Sequence, residues 1–364
     1  MKILVLNCGS SSIKYKLFDM TTKAILAQGG LEKINLPGSF LKITLPNGEK
    51  KIIERDIEEH TAGVQFIFET LTHPEYGAVK SLDEIGAVGH RVLHGGTKFS
   101  GSVLITDAVI AAVEECCDLG PLHNPANLTG ILACREIMPD VPMVAVFDTA
   151  FHQTMPRKAY LYGIDYKYYE KYKLRRYGFH GTSHRFVSAE VARMLGRDDL
   201  KMVICHLGNG SSMSAVVNGK CIDTSMGLTP LEGLLMGTRS GDLDPAVVGT
   251  IAERENMTAS EVVTMLNKSS GFIGLSGGLS NDWRDINAAA KAGDERGQRT
   301  AEVWSYRIRK YIGAYAAAMN GLDVVVFTAG IGENSADARK YVMTDCDWLG
   351  IKLDDARNNA NETV

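Results

Sequence analysis

Two short glycine- and serine-rich turns, roughly half a chain apart, constrain this fold more than any other feature of the sequence. The first, Asn7-Cys8-Gly9-Ser10-Ser11-Ser12, follows the apolar run Ile3-Leu4-Val5-Leu6 and precedes Ile13-Lys14-Tyr15-Lys16-Leu17-Phe18. Alternation in that second run is the period-two signature of a strand, so the segment predicts a strand–turn–strand hairpin. Met202–Leu207, Gly208-Asn209-Gly210-Ser211-Ser212 and Met213–Val217 repeat the arrangement in the second half. The first half continues with a β segment near Phe40–Leu45, a helix near Ala62–Leu71 and a strand ending in Gly89-His90-Arg91-Val92. Two helices are then expected ahead of the strand Val141–Phe147. Later come helices near Ala259–Leu266 and Gln298–Met319 and a loop over Gly274–Ser280. The strand Asp323–Thr328 runs into Ala329-Gly330-Ile331-Gly332-Glu333-Asn334 and a further helix. Strands and helices mixed through two similar halves predict a duplicated α/β protein, and such halves usually enclose a cleft. A length of 364 residues fits two domains, or three.

Composition removes whole classes. Hydrophobic residues at 45% and charged residues at 23% are ordinary for a globular chain and exclude a disordered chain, a coiled coil or a disulfide miniprotein. A net charge of −4 supplies no general basic field for nucleic acid or an anionic membrane, though a local basic site is compatible with it. No apolar run approaches the roughly 20 residues of a membrane span. The stretch before Cys8 is too short for a lipoprotein signal. The seven cysteines (Cys8, Cys116, Cys117, Cys134, Cys205, Cys221 and Cys346) contain no C-x-x-C pair. That pattern gives neither a disulfide framework nor a zinc site and fits reduced thiols in a cytoplasmic protein.

The two turns are either ordinary hairpin turns or anion cradles, in which small residues expose backbone N–H groups and serine hydroxyls add donors. Their recurrence at matching places in two halves favours phosphate binding, with Lys14 two residues beyond Ser12 to add positive charge. No G-x-x-x-x-G-K-[ST] occurs, and the G-x-G of Gly208–Gly210 and of Gly330–Gly332 lacks a third glycine at the dinucleotide spacing. A P-loop ATPase and a Rossmann dehydrogenase are therefore disfavoured. Arg91, in Gly89–Gly96, and Arg239, in Gly237–Asp242, are ringed by glycines, which let a ligand approach the backbone. A guanidinium there can grip carboxylate or phosphate with two parallel bonds, the alternative being a surface salt bridge. The pairs His90/His94 and His180/His184 have the i,i+4 spacing of a helical zinc site, but the glycines around them argue against helix there. His123 and His180 are each either structural or a donor to a transferring phosphoryl group. Asp148, just past the strand end at Phe147, reads equally as a position for magnesium or a catalytic water and as an N-cap.

Taken together and in order, Asn7–Lys14, Gly89–Gly96, Phe147–His152, Gly178–His184, His206–Ser212, Gly237–Pro245 and Gly330–Asn334 resemble the acetokinase family over nearly the whole chain. That family lies in the superfamily of acetate and sugar kinases, Hsp70 and actin. The resemblance implies two duplicated ribonuclease-H-like domains, here 1–150 and 151–364, with a nucleotide cleft between them, and a homodimer. It implies the reaction ATP + acetate ⇌ ADP + acetyl phosphate with Mg²⁺, or alternatively Mn²⁺. Arg91 would hold the acetate carboxylate. Arg239 and His180 would stabilise the in-line transition state, and His123 would touch a phosphoryl oxygen. Asp148 is the family's essential acidic residue, read here as orienting magnesium, its water or an arginine, and Asn7 matches the magnesium shell. Ser10, Ser12, Lys14, His206, Leu207, Gly208, Asn209 and Gly210 would meet the phosphates. Asp282, Trp283, Arg284, Gly330, Ile331, Gly332, Glu333 and Asn334 would surround the nucleoside. Leu93, Leu122, Phe179 and Pro230 match the small apolar pocket for the acetate methyl.

Three departures from the family pattern carry expectations. Leu93 stands where many members have valine, which tightens the pocket toward acetate over propionate. Trp283 stands for a usual methionine and is expected near adenine. The family pattern continues beyond Val364 with a Pro-Thr-Asn-Glu-Glu segment whose glutamate helps bind magnesium, so the first domain is expected to lack its completing segment. Two alternatives stand beside an acetate kinase. One is a propionate or butyrate kinase of the same family; the other is a non-enzymatic, actin- or Hsp70-like nucleotide switch, which would leave Arg91 and the apolar pocket unexplained.

Overall fold

The computed structural model describes residues 1–45, 48–121 and 123–361. The chain divides into two compact units, Met1–Ala150 and Phe151–Val364. In the first unit, strands β1 (Lys2–Cys8), β2 (Ser12–Asp19), β3 (Ala24–Glu32), β4 (Phe40–Thr44), β5 (Lys50–Glu54), β6 (Ile85–Val92), β7 (Val103–Leu104) and β8 (Met143–Phe147) form one sheet in the order β5-β4-β3-β2-β1-β6-β8-β7. Strands β1 to β5 are antiparallel neighbours, whereas β1, β6 and β8 run parallel. Period-two alternation explains β1: Leu4, Leu6 and Cys8 are buried, while Val5 points to the other, more open face. The helices His60–Leu71 and Asn124–Ile137 supply the matching apolar surface, with Val64, Ile67, Ala133 and Cys134 in the same core as Leu4 and Leu6.

The second unit contains β9 (Lys201–Leu207), β10 (Ser211–Val217), β11 (Lys220–Thr224) and β12 (Val324–Thr328), in the order β11-β10-β9-β12. An antiparallel meander followed by one parallel strand is the pattern β3-β2-β1-β6 of the first unit. The repeat of turns seen in the sequence is thus a repeat of topology. Strand β9 is buried on both faces: Val203 and Cys205 enter one cluster, and Met202 and Ile204 another. The long helix Glu295–Met319 covers the first of these faces. It does so with Ala301, Trp304, Ile308, Ile312, Tyr315 and Met319, spaced three and four apart as an amphipathic stripe requires. Asp294 caps its start, and Asn320 in the left-handed region (φ 53°) ends it.

Two elements differ from the sequence expectation. Gly181–Leu195 is a helix, so His184 lies on a helix after all; the flanking glycine only marks its start, where His180 is the N-cap at φ 57°. The Gly330–Asn334 segment is not a turn before a helix but a short helix itself, Ala329–Asn334, followed by a second over Ala336–Met343. All seven cysteines are unpaired, and six are buried. No helix among the described residues is long and apolar enough to cross a membrane.

Buried histidines make the fold acid-sensitive. His90, 2% exposed on β6, is pushed by burial from the ordinary 6.5 down to about 4. The unfolded chain binds that proton more readily, so this stability is complete above pH 6.5 and is lost as pH falls toward 4, by roughly 3 kcal/mol at the limit. The urea midpoint followed by circular dichroism should therefore drop between pH 7.5 and 5. His90→Asn should flatten that slope; an unchanged slope in the variant would remove His90 as its source.

Candidate active site

In the first unit the parallel strands β1, β6 and β8 point the same way, and the candidate residues collect at their C-terminal ends, where open α/β sheets place ligands. Asn7 is next to last in β1 and Arg91 next to last in β6; Asp148 follows β8, and its N–H donates to the Val92 carbonyl (3.0 Å). Arg91 and Asp148 meet in a two-point pair, Nε to Oδ1 at 2.9 Å and Nη2 to Oδ2 at 2.6 Å. The remaining Arg91 nitrogen, Nη1, donates to Asn7 Oδ1 at 3.3 Å. Asp148 is 2% exposed, and its negative charge, against the effect of burial, raises the Arg91 pKa above its usual value.

A cavity of about 260 Å³ opens beside the pair, lined by Asn7, Ser10, Ser12, Lys14, Arg91, Leu93 and His123 among others. The structure thus brings together seven residues singled out from the sequence. No aspartate or glutamate lines this cavity among the described residues. Leu122 lies outside the described residues. A wider trough of about 540 Å³ on the neighbouring sheet face shares Asn7 and Lys14. Two asparagines that the sequence reading passed over hold the cavity walls. Asn127 accepts from the Leu93 N–H (2.9 Å) and donates to the Cys8 carbonyl (2.5 Å), so one side chain ties the first turn to the end of β6. Asn124 does the same for His94, accepting at 3.0 Å and donating at 2.9 Å. The only sequence signal for them is the Asn-Pro start of their helix.

In the second unit the site is built on backbone. Gly210 sits in the turn between β9 and β10, and a methyl group added there would lie 3.6 Å from Arg239 Nη1 and 3.7 Å from both Nε2 and Cε1 of His180. Guanidinium and imidazole therefore converge on the same small turn. The loop carrying Arg239 is pinned through its peptide groups: Gly237 N–H to Asn209 O (2.9 Å), Ser270 N–H to Thr238 O (3.0 Å), Phe272 N–H to Met236 O (2.8 Å) and Ser240 N–H to Leu266 O (3.0 Å). A Cβ on Gly237 would come within 1.6 Å of Asn209 Oδ1, so only glycine allows this approach. Asp242 accepts from Gly233 N–H (2.8 Å) and from the Tyr311 hydroxyl (2.6 Å). Arg176 pairs with Glu232 and donates to the carbonyls of Thr224, Ser225 and Met226. Pro230 joins this loop, its carbonyl 3.4 Å from Arg239 Nη1. Phe179 is buried, and its carbonyl is 2.9 Å from His152 Nε2. His206 stacks on His180 with ring centroids 4.3 Å apart and shares a hydrogen bond with Ser183 Oγ (2.8 Å).

The nucleoside residues fare less uniformly. Trp283 is a core residue, 4% exposed, packed against Trp304 at 4.2 Å, with its indole N–H on Ser335 Oγ (2.9 Å). Its ring belongs to the core of the second unit, with Phe272 and Tyr341 also against it. Asp282 caps the helix Trp283–Lys291 and chelates Arg284, whose hydrogen bonds hold the carboxyl below its usual range. Glu333 folds back to accept from Ala329 N–H (3.0 Å) and Thr328 Oγ1 (2.9 Å), so it takes an amide that the sequence reading had offered to a phosphate. Gly330 faces open space.

No group of three or more His, Cys, Asp or Glu side chains among the described residues is arranged to hold a metal ion. Asp148 and Asn7 offer one carboxylate and one amide oxygen at the cavity edge, both already accepting from Arg91. That donor set suits an ion such as Mg²⁺, which keeps several waters and takes its other ligands from substrate phosphates.

Comparison with known proteins agrees with this geometry. The profile of the acetokinase family matches residues 2–364. The chain is 61% identical to an acetate kinase of Phocaeicola vulgatus over 98% of its own length and 90% of that protein. A crystal structure of Porphyromonas gingivalis acetate kinase superposes with a TM-score of 0.94 at 53% identity, covering 98% of this chain and 90% of that one. A propionate kinase from Francisella tularensis superposes with a TM-score of 0.93 at 42% identity, covering 99% and 91%. With its duplicated α/β fold, its Arg91–Asp148 pair and a full-length match, the chain belongs to the acetokinase family.

Proposed function

We propose that the chain transfers the γ-phosphoryl group of ATP to acetate, reversibly and by direct in-line displacement. The observation that carries this reading is the Arg91–Asp148 pair beside a cavity with no free carboxylate. A kinase acting on a hydroxyl needs a base near its acceptor. Here Asp148 spends both oxygens on the Arg91 guanidinium. An acceptor that arrives already ionised needs no base: a carboxylic acid with a pKa near 4 is an anion at neutral pH. One carboxylate oxygen forms the new P–O bond, the bond from phosphorus to the β-phosphate oxygen breaks, ADP leaves, and no proton moves. The barrier is repulsion between two anions, so catalysis consists of positioning and charge neutralisation.

Arg91 holds the acetate carboxylate, and Leu93, which lines the same cavity, meets its methyl group. Arg239, His180 and His123 meet the transferring phosphoryl group. Lys14, Ser10, Ser12 and His206–Gly210 receive the remaining phosphates, and Asp282–Arg284 with Gly330–Asn334 border the nucleoside through backbone and polar groups. Asp148 and Asn7 would hold Mg²⁺ from the protein side, and the ion would supply charge neutralisation on the phosphates. We extend the reading to two domains of ribonuclease-H type, to a homodimer, and to the cytoplasm, where seven unpaired thiols would be stable.

A propionate kinase is the second reading, supported by the 42% identical solved structure of that name. A hydroxamate assay with acetate, propionate and butyrate separates the two. Acetate should give the highest kcat/KM, with propionate about 10- to 200-fold lower, the discrimination available from one methylene; a higher value for propionate would reverse the assignment. Omitting Mg²⁺ should abolish product. ATP binding with no acid-dependent ADP release would instead identify a nucleotide switch.

Arg239→Ala should lower kcat by about 10²–10³ while the thermal melt stays close to wild type; normal turnover would refute its role. Because Arg91 and Asp148 form one unit, Arg91→Ala, Asp148→Asn and the double variant should show strongly non-additive losses in kcat/KM. Additive losses would mean that the two side chains act separately.

A further inference from the structure

Four histidines of the second unit, His152, His180, His184 and His206, stand ring to ring behind the Gly208–Gly210 turn, and the reaction as described uses only His180 and His206. His184 is fully buried on the helix Gly181–Leu195. Its Nε2 lies 2.8 Å from Ser212 Oγ, and the same oxygen lies 2.9 Å from His180 Nδ1. Ser212 is itself fully buried on β10. His184 Nδ1 is buried with no hydrogen-bond partner.

Proton counting then fixes the arrangement. Burial, reinforced by the neighbouring His152, His206 and His180, holds His184 well below the usual histidine range, so it is neutral and carries one N–H. A proton on Nδ1 would be a buried donor without an acceptor, the rarer and costlier kind of orphan. Placed on Nε2, the proton donates to Ser212 Oγ. The single Ser212 hydroxyl proton is then left for His180 Nδ1. A neutral His180 that accepts at Nδ1 must carry its own proton on Nε2. That nitrogen is the one facing Gly210 beside Arg239 Nη1.

We infer that Ser212 and His184 form a positioning relay that fixes His180 as its Nε2–H tautomer, so that it presents a hydrogen-bond donor to the phosphoryl group. The opposite tautomer would aim a lone pair at phosphate oxygens and oppose the reaction. The inference rests on the phosphoryl-transfer reading for its consequence, but the tautomer itself is a property of the protein without substrate.

The test combines spectroscopy and kinetics. In protein labelled with ¹⁵N-histidine at pH 8, the His180 signals, assigned by their loss in His180→Asn, should show a protonated Nε2 and a bare Nδ1. Ser212→Ala should mix the two tautomers. It should also lower kcat about tenfold or more, with KM for ATP and acetate within threefold of wild type. His184→Gln, whose side-chain amide can still donate to Ser212, should retain most of the activity that His184→Leu loses. A wild-type His180 protonated on Nδ1 would overturn the relay, whether or not the variants fold. So would an unchanged kcat in folded Ser212→Ala. Absence of acetyl phosphate formation by the wild-type protein would instead sink the functional reading and leave the tautomer measurement standing.

Discussion

A buried carboxylate facing a guanidinium is the interaction on which the first unit's chemistry depends. Asp148, 2% exposed, could not remain ionised there without a partner, and Arg91 provides one through two parallel hydrogen bonds. The pair has two effects at once. It fixes the arginine fork in one orientation at the end of β6, and it commits both Asp148 carboxylate oxygens to the guanidinium. A cavity lined by amide, hydroxyl, ammonium and imidazole groups is then left with donors in excess. Such a cavity selects anions, and it leaves deprotonation to the acidity of the substrate.

The second unit reaches a similar end by another route. The Arg239 loop is held by peptide hydrogen bonds that stitch it to the turn after β9 and to the segment around Ser270–Phe272, and Arg239 Nη1 lies 3.4 Å from the Pro230 carbonyl. The glycines of Gly237-Thr238-Arg239-Ser240-Gly241 permit that stitching, since side chains at Gly237 or Gly241 would overlap neighbouring backbone or amide atoms.

How far the sequence could be read depended on the range of the interactions involved. Hairpins and amphipathic helices announce themselves over a few residues, so β1–β2, β9–β10 and the helix Glu295–Met319 were legible. What failed was local evidence for distant packing. Gly181 looked like a helix breaker although it opens a helix, since a residue at the first turn loses nothing by lacking a side chain. The core packing of Trp283 against Phe272, Trp304 and Tyr341 had no local signal, because Trp304 and Tyr341 lie 21 and 58 residues further along the chain. Asn124 and Asn127 gave almost no signal, because their partners are backbone groups 30 to 119 residues away.

The same distinction separates what orients the reacting groups from what touches them. Resemblance to a family carries over residues at a ligand, because those are the ones a motif contains. The groups behind them are found only by following each polar atom to its partner. Ser212 shows the point: within the motif it is one serine of a Gly/Ser turn, but in the fold its hydroxyl is shared by two imidazoles. A hydroxyl with one proton cannot satisfy two bare nitrogens, so the neutral state of one ring dictates the proton position on the other. Charge placement around the phosphoryl group is thereby set in part from the interior of the second unit, by a residue with no access to substrate.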